Sequence, residues 1–180
     1  MAMHGYTPKG AYIANINIRH TVADAAASAV WAMHNPAASA RTIYIRAINW
    51  MLGFDGALST LDIAYEFIRF TVADPTTGTT VPVIKKNNGY NASAIGSTNI
   101  QQKSGILTLA GAVFESGPFH VIRIPASVTN TISEGDLQFH QAMEGTSNFD
   151  LRPDEGMAIR LNLAAIIGQM LAGSVEWDEH

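Results

Sequence analysis

The sequence predicts an all-β chain: an antiparallel β-sandwich of about eight or nine strands, with the jelly roll as the closest pattern. Three observations carry this. Apolar residues recur with period two along most of the chain, as they do in strands with one dry and one wet face. The segments that show this are short and bounded by Gly, Asn, Pro or Asp. No stretch alternates strand with helix, as a parallel sheet requires. An immunoglobulin sandwich fits less well, because its signature needs two cysteines and the chain has none.

Met1–Gly10, with Tyr6, Pro8 and Lys9, predicts an extended arm outside the core, and residues 11–180 predict one sandwich domain. Tyr12–Arg19 alternates cleanly, with Tyr12, Ala14, Ile16 and Ile18 on one face and Asn15, Asn17 and Arg19 on the other. Ala25-Ala26-Ala27 favours helix by propensity, yet Ser28–His34 ends at the turn signal Asn35-Pro36, which predicts a strand. Thr42–Trp50 places Ile43, Ile45 and Ala47 inward, and Tyr44 and Arg46 outward. In Leu61–Val72 the apolar phase slips between Phe67 and Ile68, which predicts a β-bulge. Asp74–Gly105 is polar and turn-rich, a long loop that must be functional or packed by neighbours. Ile106–Phe114 and Phe119–Pro125 flank Glu115-Ser116-Gly117-Pro118 and predict a hairpin. Leu137–Met143, Met157–Leu163 and Leu171–Trp177 complete the strands.

Composition bounds the function. The 180 residues are 47% hydrophobic, enough for a single core without disulfides. No apolar run approaches the roughly 18 residues of a membrane helix. No charged segment leads into an apolar one at the start, so no export signal is predicted. A net charge of −4 argues against a nucleic-acid partner. Only 14% of residues are charged, against about 25% in an average soluble domain. Such a surface suits a protein that covers, or is covered by, other protein.

Catalytic patterns are sparse. His20, His34, His120 and His140 each stand alone on their segments, with no His-x-His pair to begin a facial metal site. His140 is the nearest to a candidate, with Glu134 and Glu144 close in sequence. Neither a nucleophile elbow nor a phosphate-binding glycine loop is present. Asp154-Glu155 and Asp178-Glu179 are neighbours that a strand would point to opposite faces. Trp31, Trp50 and Trp177 lie on or at the ends of predicted strands, which favours core or subunit-interface packing over a sugar-stacking platform. No catalytic, cofactor-binding or metal-binding residue is predicted.

Leu151-Arg152-Pro153-Asp154-Glu155-Gly156-Met157-Ala158-Ile159-Arg160, followed by Gly173-Ser174-Val175-Glu176-Trp177-Asp178-Glu179, resembles the closing strands of small β-sandwich structural proteins of tailed bacteriophages. The order from Tyr12 onward is similar too, through Arg41–Trp50 and Phe70-Thr71-Val72-Ala73-Asp74. The sequence departs from that pattern at Asp154, where Gly is usual, although Asp tolerates the left-handed turn conformation. The resemblance implies a non-enzymatic virion component made in the host cytoplasm. It would be a capsid decoration (cement) protein, seated as a homotrimer on the major capsid protein at the capsid surface, without nucleic-acid or membrane partners. A receptor- or glycan-binding subunit of a head fibre or tail is the alternative within the same resemblance, and a metal-dependent cupin-type enzyme is a third reading. Contact with the partner is expected from Tyr6 and Lys9 in the arm, Lys85, Lys86 and Tyr90 in the loop, and Trp177 near the end. The arm or the tail Trp177–His180 is expected to be held by a neighbouring subunit or by the shell.

Overall fold

The computed structural model describes residues 11–54, 62–87, 89, 91–105, 107–124, 133–139, 149–165 and 167–179, which form two antiparallel sheets packed as a sandwich. Among them are thirteen strands: β1 Ala11–Arg19, β2 Ala29–His34, β3 Ile43–Phe54, β4 Ile63–Thr71, β5 Thr79–Thr80, β6 Val83–Lys85, β7 Ile100–Gln102, β8 Val113–Phe114, β9 His120–Ile124, β10 Ser133–Gln138, β11 Asp150–Leu151, β12 Glu155–Leu161 and β13 Gln169–Glu179. One sheet runs β10-β3-β13-β1-β6, with β11 further along the edge of β3 that β10 occupies. The other runs β5-β7-β2-β12-β4-β8, with β9 on the same edge of β4 as β8. The eight longest strands divide into β10-β3-β13-β1 and β2-β12-β4-β9. In chain order they change sheet at every step except from β4 to β9.

Alternation places the core as the sequence predicts in β1: Tyr12, Ala14, Ile16 and Ile18 are buried between the sheets, while Asn15, Asn17 and Arg19 face water. Residues 29–34 are a strand, so the branched and aromatic residues of β2 outweigh the helical preference of the alanines before it. In β3 the predicted parity holds for Ile43 and Ile45 and then changes. Arg46 is an extra residue opposite Glu176 and Trp177, and beyond this bulge Ile48 and Leu52 face the core.

The phase slip in β4 has a different cause from the bulge predicted there. Its pairing with β12 runs without a register shift from Tyr65 to Thr71. Tyr65 and Phe67 enter the main core, whereas Ile68 and Phe70 enter a second apolar cluster on the opposite face of the sheet. That cluster joins Ala32, Ala158, Ala73 and Leu107, covered by Leu109, Ala112 and Phe114. A strand with dry surfaces on both sides loses its alternation without any bulge.

Two further expectations are corrected by the pairing. Residues 113–114 and 120–124 are not the two arms of a hairpin: β8 and β9 both run antiparallel to β4, along one edge. Glu115 N donates to Arg69 O and Phe119 N to Phe67 O, so residues 116–118 bow out from a single interrupted strand. Only Val113–Phe114 of the predicted 106–114 strand pairs in this way. The segment 74–105 is not simply loop, because β6 edges one sheet while β5 and β7 edge the other. It is packed by its own chain. The predicted arm, residues 1–10, and the predicted strand residues 140–143 lie outside the described residues.

Candidate functional site

Strand direction sorts the chemistry to two ends of the sandwich. Ala11, the last residues of β13 and the start of β3 meet at one end, where β6 also finishes. There Lys86 N donates to Ala11 O at 3.0 Å, and the Tyr12 hydroxyl donates to Asn91 O at 2.8 Å. The point where the predicted arm leaves the sandwich is therefore tied to the predicted contact loop. Glu179 fastens the same loop from below. Its buried carboxylate accepts from Arg41 Nη1 at 2.7 Å, Ala94 N at 2.8 Å and Trp177 Nε1 at 3.2 Å, and from the Ser93 hydroxyl. Lys86 pairs with Glu176, and Arg46 with Asp178, on the outer face of the sheet. Asp178 and Glu179 thus point to opposite faces, as strand geometry requires, but neither is a solvated tail residue.

A second polar group stands at this end. His34, buried at the end of β2, has Nδ1 at 2.7 Å from Asp74 Oδ1 and Nε2 at 3.6 Å from Asp154 Oδ1. Asn99 Nδ2 donates to the same Asp74 oxygen at 2.9 Å, and the His34 ring stacks on Phe70. Three non-glycine residues with positive φ lie in the turns around it: Val72 (67°), Thr77 (64°) and Asp154 (71°). Asp154 adopts the left-handed conformation that its place in the turn predicts. Val72, a β-branched residue in that region, is strained and exposed. The two aspartates meet opposite ring nitrogens, so the three side chains cannot converge on one ion. Among the described residues no group of three or more His, Asp or Glu is arranged to hold a metal.

The opposite end carries His20, buried where β1 finishes. Its Nδ1 lies 2.7 Å from Asp24 Oδ2, and Lys103 pairs with that same oxygen. Burial lowers the His20 pKa below the ordinary 6.5, more than the bond to Asp24 and its charge raise it. For Asp24, burial acts upward, yet the bonds from Lys103 and His20 outweigh it and hold the carboxyl below its ordinary range.

The outer face of the β10-β3-β13 sheet bears a shallow groove of about 700 Å³, lined by Asn49, Met51, Glu134, Asp136 and Ala172 among others. Glu134 and Asp136 are the only described carboxylates that have no cationic partner among the described residues.

Of the residues expected at a partner contact, Lys85 and Lys86 are exposed at the arm end, with Lys86 already paired within the chain. Trp177 is fully buried, stacked on Tyr12 at 5.8 Å, and belongs to the core, one of the two placements its strand position predicts. Trp31 is likewise fully buried, and Trp50 packs against the core. Tyr6, Lys9 and Tyr90 lie outside the described residues, as do His140 and Glu144. Sequence reasoning missed Arg41, Ser93, Ala94, Asp74 and Lys103, whose roles depend on partners 25 or more positions away. No spacing rule would have paired them. Comparison of the chain with protein-family models, curated proteins and solved structures gave no match.

Proposed function

We propose that this protein is a non-enzymatic virion component, a capsid decoration protein that grips the outer shell and strengthens contacts between capsomers. The observation that carries this reading is the clamped end of the sandwich. The exit point of the arm at Ala11, the loop 85–94 and the last strand are fastened together by Lys86, Asn91 and Glu179. An arm and a loop issuing from one fastened end would suit a protein whose work is contact. Strand order supports the reading. First and last long strands adjacent, in the order β10-β3-β13-β1 opposite β2-β12-β4-β9, are compatible with the jelly roll the sequence predicts, an architecture frequent in viral shells and lectins. Fold alone does not fix function, so the resemblance in the closing strands and the low surface charge carry the rest. Physically, a protein that binds only the assembled shell stabilises it by mass action. A homotrimer would multiply weak contacts through effective concentration.

Copy number tests the proposal. In purified particles, a stoichiometry near that of the major shell protein is expected, whereas absence from particles would overturn the virion reading. A small fixed number would instead favour a fibre or tail subunit that binds a receptor or glycan. One observation favours this second reading: the groove on the outer sheet face offers Asn49, Glu134 and Asp136 as hydrogen-bonding groups.

A further inference from the structure

Strand register sets two rows of side chains across the outer face of the sheet that holds β10, β3 and β13. Asp136, Asn49 and Ser174 lie side by side in one row, and Glu134, Met51 and Ala172 in the next. In both rows β13 contributes the smallest side chain, so the surface is lowest there. This is the groove of about 700 Å³ described above, and a second hollow of about 310 Å³ continues it towards Arg19, sharing Met51 and Ala172 with it. The wall on β10 is charged and unmatched. Glu134 and Asp136 are exposed and have no cation among the described residues, whereas on the same face Glu176 has Lys86 and Asp178 has Arg46. Being two positions apart on a strand, the two carboxylates repeat at roughly 6.5–7 Å.

We propose that this groove docks an extended segment of a partner protein that carries lysine or arginine at alternate positions. An extended chain repeats the side chains of one face at the spacing of Glu134 and Asp136, so two cations reach the two carboxylates together. Adjacent cations do not, because neighbouring residues of a strand point to opposite sides. The apolar stems of those side chains cross Met51, which is 44% exposed, on their way to β10. A peptide suits the groove better than a glycan, since Trp50 and Phe54 beside it pack against the core and offer no ring for a sugar to stack on. The surface lies on a sheet face, apart from the clamped end, and its chemistry holds whether or not the partner is a shell protein.

Fluorescence anisotropy of short labelled peptides against the full chain tests this. The probes are Thr-Lys-Thr-Lys-Thr and its isomer Thr-Lys-Lys-Thr-Thr. Saturable binding of the alternating peptide is expected, several-fold tighter than that of the isomer and weakened in roughly 0.5 M salt. In the double variant Glu134→Gln, Asp136→Asn its affinity should fall by about five- to twentyfold. Tm should hold, because neither carboxylate has a cation in the described chain. Equal affinity for the two isomers, or no saturable binding, would overturn the proposal, and both are read on the unaltered protein. Oligosaccharide binding that is lost in Asn49→Ala, without peptide binding, would assign the groove to a glycan instead. If the double variant keeps its peptide affinity and only begins to self-associate, the two charges merely guard the edge of β10 and the proposal fails.

Discussion

His20 shows how position converts an ordinary residue into a determinant of stability. Its folded-state pKa lies below 6.5 because burial penalises the cation more strongly than Asp24 favours it. The unfolded chain therefore takes up the proton more readily. Stability from this site is fully present above pH 6.5 and is lost as pH falls through the lower, folded value. Thermal melts between about pH 8 and 5 should show Tm falling on the acid side, with a shallower fall in His20→Gln. A Tm that is level across that range would contradict the assignment. Gly173 is a second single-residue constraint. A Cβ there would overlap the Asn49 carbonyl oxygen, part of the backbone of the paired strand, which cannot rotate away. Gly173→Ala should cost about 2–3 kcal/mol, measurable as a lower urea midpoint at unchanged slope.

At the scale of elements, side chains do work that the backbone ladder leaves undone. β6 pairs only with Tyr12–Ala14 of β1. Beyond that, the indole of Trp31 donates to Asn15 O at 3.2 Å, and the Gln102 side-chain oxygen accepts from Asn17 N at 3.1 Å, so two groups from the other sheet close the edge. Glu179 plays the same part for the 91–95 segment, and Arg41 is the cation paired with it there, at 2.7 Å. Arg41→Ala should lower stability by about 3 kcal/mol, since it leaves that carboxylate uncompensated. Proteolysis of the native protein should then shift to residues 91–95. An unchanged Tm and cleavage pattern would show that Glu179 needs no such partner. The strands themselves were legible in the sequence, β1 and β2 almost to the residue, because one buried face imposes period two. β4 was legible as a strand but misread in detail, because its second apolar face, Ile68 and Phe70, mimics the signature of a bulge. The hairpin at 115–118 failed for a similar reason: a turn-rich tetrapeptide fits an outward bow along one edge as well as a reversal.

Across the whole molecule, the sandwich class followed from local pattern, whereas the clamped end did not. Lys85 and Lys86 stood out in the sequence as a basic doublet, but nothing marked Glu179, Ser93 and Arg41 as one cluster. Trp177 was expected in the core or at a subunit contact, and local pattern could not choose between them; its burial comes from β13 lying in the middle of its sheet. The proposed role makes its prediction at this scale. Removal of residues 1–10 should leave the melting transition of the sandwich unchanged and weaken attachment to particles, checked by calorimetry beside a binding assay on stripped shells. Equal affinity with and without the arm would assign the grip to the sandwich surface instead.

The central place of β13 also governs how the molecule comes into being. β1 and β3 are not neighbours; each pairs with opposite edges of a strand that spans residues 169–179. During synthesis their adjoining edges stay open until that strand has left the ribosome, so the sheet cannot close progressively behind the growing chain. Contacts this distant in sequence make a slow folder. Charge-poor intermediates with open strand edges and exposed apolar faces are the species that chaperones must shelter and that aggregation would claim first.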